Sequence, residues 1–306
     1  MQTLDKEKAV APFSAGKGRT NVEVPAGACD CHVHVYDGRF APVPGARLLP
    51  PDASVADYRQ LQQRTGTDRV VFVTPSTYGS DNRPMCEALV AYGEGARGIA
   101  VVDEQIRDTE LQALHAKGVR GIRLNLSLGV TNSAQQLDVL AARVAPYGWH
   151  LQLLAAPDTL AALEARLLQL PVSVVFDHMG RIAPSQAQRH AAHRMILRLI
   201  DSGRAWVKLS GGYIVSEEGP PAYTDVALLA RGYLLAAPER VVWGSDWPHA
   251  SATAGHQPLP DGALQMDLLA QWAGDSTALR RVLVDNPAAL YDYPNLTLDK
   301  DSHDQA

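Results

Sequence analysis

Short β-branched runs, each closed by a polar loop and followed by a segment with apolar residues at helical spacing, recur along this chain from residue 28 onward. The runs at 28–35, 69–74, 97–101, 119–124, 149–154, 172–177, 206–209 and 240–244 predict eight strands. Between them, helical spacing covers 55–64, 83–92, 108–116, 133–145, 157–168, 186–201 and 223–236. Several of these segments open on a cap or first-turn residue: Ser54, Asp81 with Pro84, Asp108 and Ser133. Beyond the last strand, 262–272 and 276–283 predict two more helices and 286–291 a final turn. Such alternation is the signature of parallel βα units, and eight of them predict an α/β fold, a (β/α)8 TIM barrel, rather than a doubly wound open sheet. Residues 1–27 lack periodicity and read as an N-terminal arm, packed against the barrel or a neighbouring subunit or disordered; 28–294 form the barrel and 295–306 a C-terminal tail.

A barrel of this kind builds its active site from the loops at the C-terminal ends of its strands, so polar side chains with chemical potential should gather there. They do in most units. In an extended strand His32 and His34 point the same way, opposite to Cys31, Val33 and Val35. The second strand leads to Thr74, Ser76 and Tyr78, and the fourth ends in Arg123 and Asn125. The sixth runs into Asp177 and His178, the seventh into Lys208 and Ser210, the eighth into Ser245, Asp246 and His249. The fifth offers His150 and Gln152 on one face, and the third only Asp103.

Composition narrows the chemistry without naming it. At 306 residues and 33.0 kDa, with 46% apolar residues, the chain is long enough for one large barrel. A formal charge of −5 and a pI near 6.0 leave no broad basic surface for nucleic acid, so the expected partner is a small molecule. Cys29, Cys31 and Cys86 offer neither a disulfide framework nor a Cys-x-x-Cys pair, which suits a reducing cytoplasm. Neither a signal peptide nor a membrane span is expected. Monomer and homo-oligomer stay equally open.

The set His32, His34, His178 and Asp246 sits within seven blocks that occur in order: VPAGACDCHVH from Val24, SDNR from Ser80, GVRGIRLN from Gly118, FDHMGR from Phe176, KLSG from Lys208, WGSDWPH from Trp243 and VDNPAALY from Val284. In these blocks the chain resembles the amidohydrolase superfamily, in the branch that contains 2-pyrone-4,6-dicarboxylate lactonase and D-galactarolactone isomerase. The resemblance implies an amidohydrolase-type barrel in which Asp246 is the general base and His32, His34 and His178 surround the scissile carbonyl. A carboxylate beside histidines can take a proton from water, and protonated or N–H-donating imidazoles can stabilise the resulting oxyanion.

In many members of the superfamily the paired histidines and the last-strand aspartate hold a divalent metal. Here the strand-four position carries Arg123 in place of lysine, and the strand-five His150 stands at the wrong end. No cofactor and a metal-free site are therefore expected, with zinc at His32, His34, His178 and Asp246 as the alternative. The resemblance also implies that Arg123 grips a substrate carboxylate, its bland alternative being a salt bridge within the barrel. Further carboxylate-binding arginines are missing from LNLSLGV after Arg123 and LSGGYIV after Lys208, and Tyr213 is expected in the pocket. Ser76, Tyr78, Asn125, Gln152, Arg181, Ser210 and His249 complete the expected substrate wall. The expected activity is hydrolysis of a small, monocarboxylated anionic lactone from aromatic or sugar-acid catabolism, a carboxylic ester hydrolase. A lactone isomerase, a zinc hydrolase and a decarboxylase are the rivals.

Overall fold

A computed structural model describes residues 11–127 and 133–294. Its eight strands are β1 (Cys29–Val33), β2 (Arg69–Val73), β3 (Ala96–Ala100), β4 (Val119–Asn125), β5 (His150–Leu154), β6 (Val174–Phe176), β7 (Ala205–Leu209) and β8 (Val241–Trp243). They run parallel in the order of the sequence. The seam between β8 and β1 is joined at its upper end, where Asp246 N–H donates to His32 O at 2.9 Å and His34 N–H to Trp247 O at 2.8 Å. The architecture is a nearly closed (β/α)8 barrel of eight parallel strands with helices between them.

Apolar residues divide by layer. Cys29, Cys31, Val71, Ile99, Val175, Trp206 and Val242 come from six different strands yet form one cluster, which is possible only inside the barrel. The larger cluster lies between strands and helices and includes Val33, Leu61, Phe72, Ile122, Phe176 and Ile196. Strict alternation along β1 fails at one point. The register shifts between Asp30 and Val33, so that Cys31 and His32 both end up inside, while Asp30 reaches outward to accept a hydrogen bond from Tyr58 Oη at 3.1 Å. A bulge of this kind re-aims side chains at barrel rims, and it overturns the expectation that Cys31 opposes His32.

Most helices form where the spacing predicts: Val55–Thr65, Arg83–Tyr92, Asp108–Ala116, Leu137–Val144, Thr224–Ala236 and Gly262–Ala273. Two differ. The segment 157–168 breaks into Pro157–Ala162 and Glu164–Leu167, and the helix expected from 186 starts only at Ala191, where His190 Nδ1 accepts from Ala192 N–H. The chain then closes the barrel floor. Tyr291 and Tyr293 are buried against Cys29, and Tyr293 Oη donates to Val70 O at 2.7 Å beneath the guanidinium groups of Arg69 and Arg97.

Residues 11–27 of the expected arm are docked on the barrel. Phe13 packs edge-on against Trp247 at 5.7 Å, and Trp247 Nε1–H donates to Pro12 O. The buried Arg64 guanidinium donates to Gly18 O, Ser14 Oγ, Ala15 O and Asp261. The expected tail, 295–306, lies outside the described residues. Among the described residues, no helix is long and apolar enough to cross a membrane.

Candidate active site

With the floor plugged, chemistry gathers at the C-terminal mouth. Gly244 at the end of β8 lets the backbone pass close to β1: a Cβ there would lie 2.6 Å from His32 Cβ. The same close approach brings the following residue but one, Asp246, over the histidines. Its Oδ1 is 3.5 Å from His32 Nε2, 3.9 Å from His34 Nε2 and 3.9 Å from His178 Nε2. Tyr213 Oη donates to its Oδ2 at 2.6 Å. Asp246, His178 and His249 all take positive φ, at 65°, 50° and 57°. Non-glycine residues rarely adopt this backbone, and its clustering at one mouth is typical of functional sites. Gly211 shares the feature at φ 61°, and a Cβ on it would press within 2.8 Å of His178 Nδ1.

Below this layer lies a buried charge network. Asp177 Oδ2 accepts from Arg123 Nε–H and from Gln152 Nε2–H, each at 3.0 Å. Lys208 Nζ donates to Gln152 Oε1 at 2.7 Å and lies 3.6 Å from Asp177 Oδ1. Burial opposes the Asp177 carboxylate, but His32, Lys208 and Arg123 around it outweigh that penalty and hold its pKa well below the usual range. Two cations thus face one firmly ionised carboxylate.

The imidazoles are neutral at physiological pH. Burial pushes His34 and His178 down to about 3, helped by the Arg123 charge, and pushes His32 well below its ordinary value with help from Lys208. Of the two expected forms, burial favours the neutral, N–H-donating one over the protonated one. Asp246 moves the other way: burial raises it to about 7, against the lowering pull of the Tyr213 hydroxyl and of Arg123. A carboxylate titrating near neutrality is suited to taking a proton from water and giving it back.

Above the network opens a cavity of about 340 Å³, within the range of small-ligand sites. His34, His178, Asp246 and Arg123 form part of its wall, together with Arg181, Arg47, Ser76 and Asn125. Leu48, Pro75, Leu154 and Ile214 make the apolar side.

A family model described as amidohydrolase matches residues 29–293. The chain belongs to the amidohydrolase family. It is 33% identical over 303 residues to 2-pyrone-4,6-dicarboxylate hydrolase of Comamonas testosteroni, covering 95% of this chain and 98% of the relative. It is 32% identical over 275 residues to D-galactarolactone isomerase of Agrobacterium fabrum strain C58, covering 89% of this chain and 93% of the relative. A crystal structure of an Agrobacterium tumefaciens protein superposes with a TM-score of 0.82 at 31% identity, covering 90% of this chain and all of that one.

The amidohydrolase mouth brings together most of the residues expected from sequence, in two depths. His34, His178, Asp246, Arg123, Ser76, Asn125 and Arg181 face the cavity. His32, Gln152, Ser210, Tyr213 and His249 stand behind the wall: His32 is fully buried, Ser210 Oγ pairs with His178 Nδ1 at 2.9 Å, and His249 packs edge-on against Tyr213. Tyr78 is in neither group. Its hydroxyl is spent on the backbone of Asp37 and its ring packs on Tyr36 and Phe40. Arg123 makes the salt bridge within the barrel, to Asp177, and also lines the cavity.

Three contributors were not assigned roles from sequence. Asp177 and Lys208 carry a signal, since both stand at the polar C-terminal ends of the sixth and seventh predicted strands. Arg47 had none, because it lies in the long aperiodic loop between β1 and the first helix.

The donor set gives a direct test for a metal. Ligand atoms of His32, His34 and Asp246 form one close group, and those of His32, Asp177 and His178 another, with His178 Nε2 3.9 Å from Asp246 Oδ1. A metal-bound histidine nearly always donates its second N–H to an acceptor. His34 meets that condition, with Nδ1 2.7 Å from Val73 O. At His32 the nearer neighbour of Nδ1 is the Lys208 ammonium at 3.1 Å, a donor, with the Asp177 carboxylate farther off at 3.4 Å. The Lys208 ammonium is thus the feature of this donor set that opposes a divalent ion at His32.

Proposed function

We propose that this protein hydrolyses a small anionic lactone without a metal. The observation that carries the reading is Asp246: a buried carboxylate with a pKa raised to about 7, exposed only 5%, set against a cavity whose wall holds guanidinium groups. Water held at Asp246 attacks the lactone carbonyl carbon as Asp246 takes its proton. Arg123 and an N–H of His178 stabilise the oxyanion. The ring C–O bond then breaks, Asp246 returns the proton to the leaving oxygen, and a hydroxy acid departs.

Both characterised relatives support a lactone as the ligand class, one being named a hydrolase of a pyrone dicarboxylate and the other a lactone isomerase. A retained base placed to activate water favours hydrolysis over isomerisation. Arg47, Arg123 and Arg181 together in the wall widen the single-carboxylate expectation to substrates with more than one anionic group. The test is a panel of mono- and dicarboxylated lactones followed with a pH indicator, since ring opening releases a proton and binding or isomerisation does not. Acidification by the wild type and none by Asp246→Asn is the expected result; a product isomeric with the substrate and no acidification would overturn the reading.

A further inference from the structure

The hydrogen bonds around His32 can be assigned from both ends, and the two assignments agree. At one end, Val73 O can only accept, so His34 carries its proton on Nδ1, 2.7 Å away, and its Nε2 is a lone pair. His32 Nε2 lies 3.2 Å from that lone pair and must donate to it, which leaves His32 Nδ1 as the acceptor. At the other end, the Asp177 carboxylate can only accept from Gln152 Nε2, so the amide oxygen of Gln152 points at Lys208. An ammonium has three donors and no acceptor, so Lys208 must donate to His32 Nδ1 at 3.1 Å.

We infer that Lys208 is a positioning residue that locks His32 in the Nε2–H tautomer, and that this lock is what denies the mouth of this barrel a divalent ion. The inference rests on the metal-free reading above only for its second half. Without the ammonium, the nearest group to His32 Nδ1 is Asp177 Oδ1 at 3.4 Å, an acceptor. His32 would then turn to the Nδ1–H form and bare its Nε2 beside the His34 lone pair and Asp246. That is the donor arrangement a metal-binding histidine pair needs. One buried side chain thus separates a site that works through hydrogen bonds from one that would take zinc.

The tautomer is read directly from the nitrogen chemical shifts of 15N-histidine-labelled, chelator-stripped wild-type protein, with His32 assigned by comparison with His32→Gln. Expected is a protonated Nε2 and a bare Nδ1 at His32; the reverse overturns the proposal whatever the activity, so its failure is distinct from failure of the lactonase reading. Lys208→Met should swap the two nitrogens and bind one zinc at least 100-fold more tightly than the wild type by calorimetry, while Lys208→Arg, which keeps a donor, should retain the wild-type tautomer and weak zinc binding. Stoichiometric tight zinc in the wild type, or a folded Lys208→Met with unchanged tautomer and no gain in zinc affinity, would contradict it. Should Lys208→Met not fold, the wild-type spectrum and Lys208→Arg still decide.

Discussion

Replacing Asp246 with asparagine should remove activity and add stability, and the size of the second effect follows from the site. The carboxyl is raised from its ordinary value of 3.8 to about 7, chiefly by burial. The native state therefore favours the protonated form. Stability from this group is fully present below about pH 4 and is lost as pH rises to about 7, because above that the native fold must hold a buried charge. At about 1.4 kcal/mol per pH unit, the ionised carboxylate costs the native state on the order of 4 kcal/mol at pH 8 and roughly 1–2 kcal/mol at pH 5. Asparagine keeps an oxygen for the Tyr213 hydroxyl, bonded to Oδ2 at 2.6 Å, but never ionises. Its advantage over the wild type should thus grow by roughly 2–3 kcal/mol between pH 5 and pH 8, on the order of 5 °C in Tm for a chain of this length. Urea titrations and thermal melts of both proteins at the two pH values measure it, while kcat should fall by about 10²–10⁴-fold. A stability difference independent of pH would refute the buried, raised carboxylate.

Tyr213→Phe removes the hydroxyl that lowers the Asp246 pKa, so the acid limb of the kcat/KM profile should move to higher pH; an unmoved limb would mean the hydrogen bond is absent in solution. Arg123→Lys keeps the charge but loses the Nε–H that donates to Asp177 and the planar guanidinium facing the cavity, and kcat/KM for a carboxylated lactone should fall by about 10–100-fold, from the loss of one strong charge-assisted contact. Gly244→Ala forces a Cβ to 2.7 Å from His32 N and 2.6 Å from its Cβ; it should destabilise the fold by roughly 1–3 kcal/mol, as overpacking does, with activity lost out of proportion to stability.

The barrel was legible because hydrophobic period is a local signal and each βα unit repeats it. Where the reading slipped, the cause was a feature that leaves no period. The bulge in β1 inserts one residue between Asp30 and Val33 and turns Cys31 inward beside His32. The helix before β7 starts late because His190 caps it. His32, His34, His178 and Asp246 were visible as strand-end residues in fixed blocks, but their depths were not: sequence places a residue at a strand end without saying which stands behind another. Tyr78 shows the same limit, since nothing in its neighbours reveals that its hydroxyl is committed to Asp37. The charge network of Arg123, Asp177 and Lys208 joins three strands, and only their closure into a barrel brings those side chains within bonding distance.

The proposed opening of a lactone by Asp246 needs no metal. Its most direct test is the pH dependence of kcat/KM measured on protein stripped with a chelator and shown to be metal-free. Expected is full activity in that protein, rising with pH through a single ionisation near 7 and unchanged by added zinc. Activity that disappears on stripping and returns with stoichiometric zinc would contradict it.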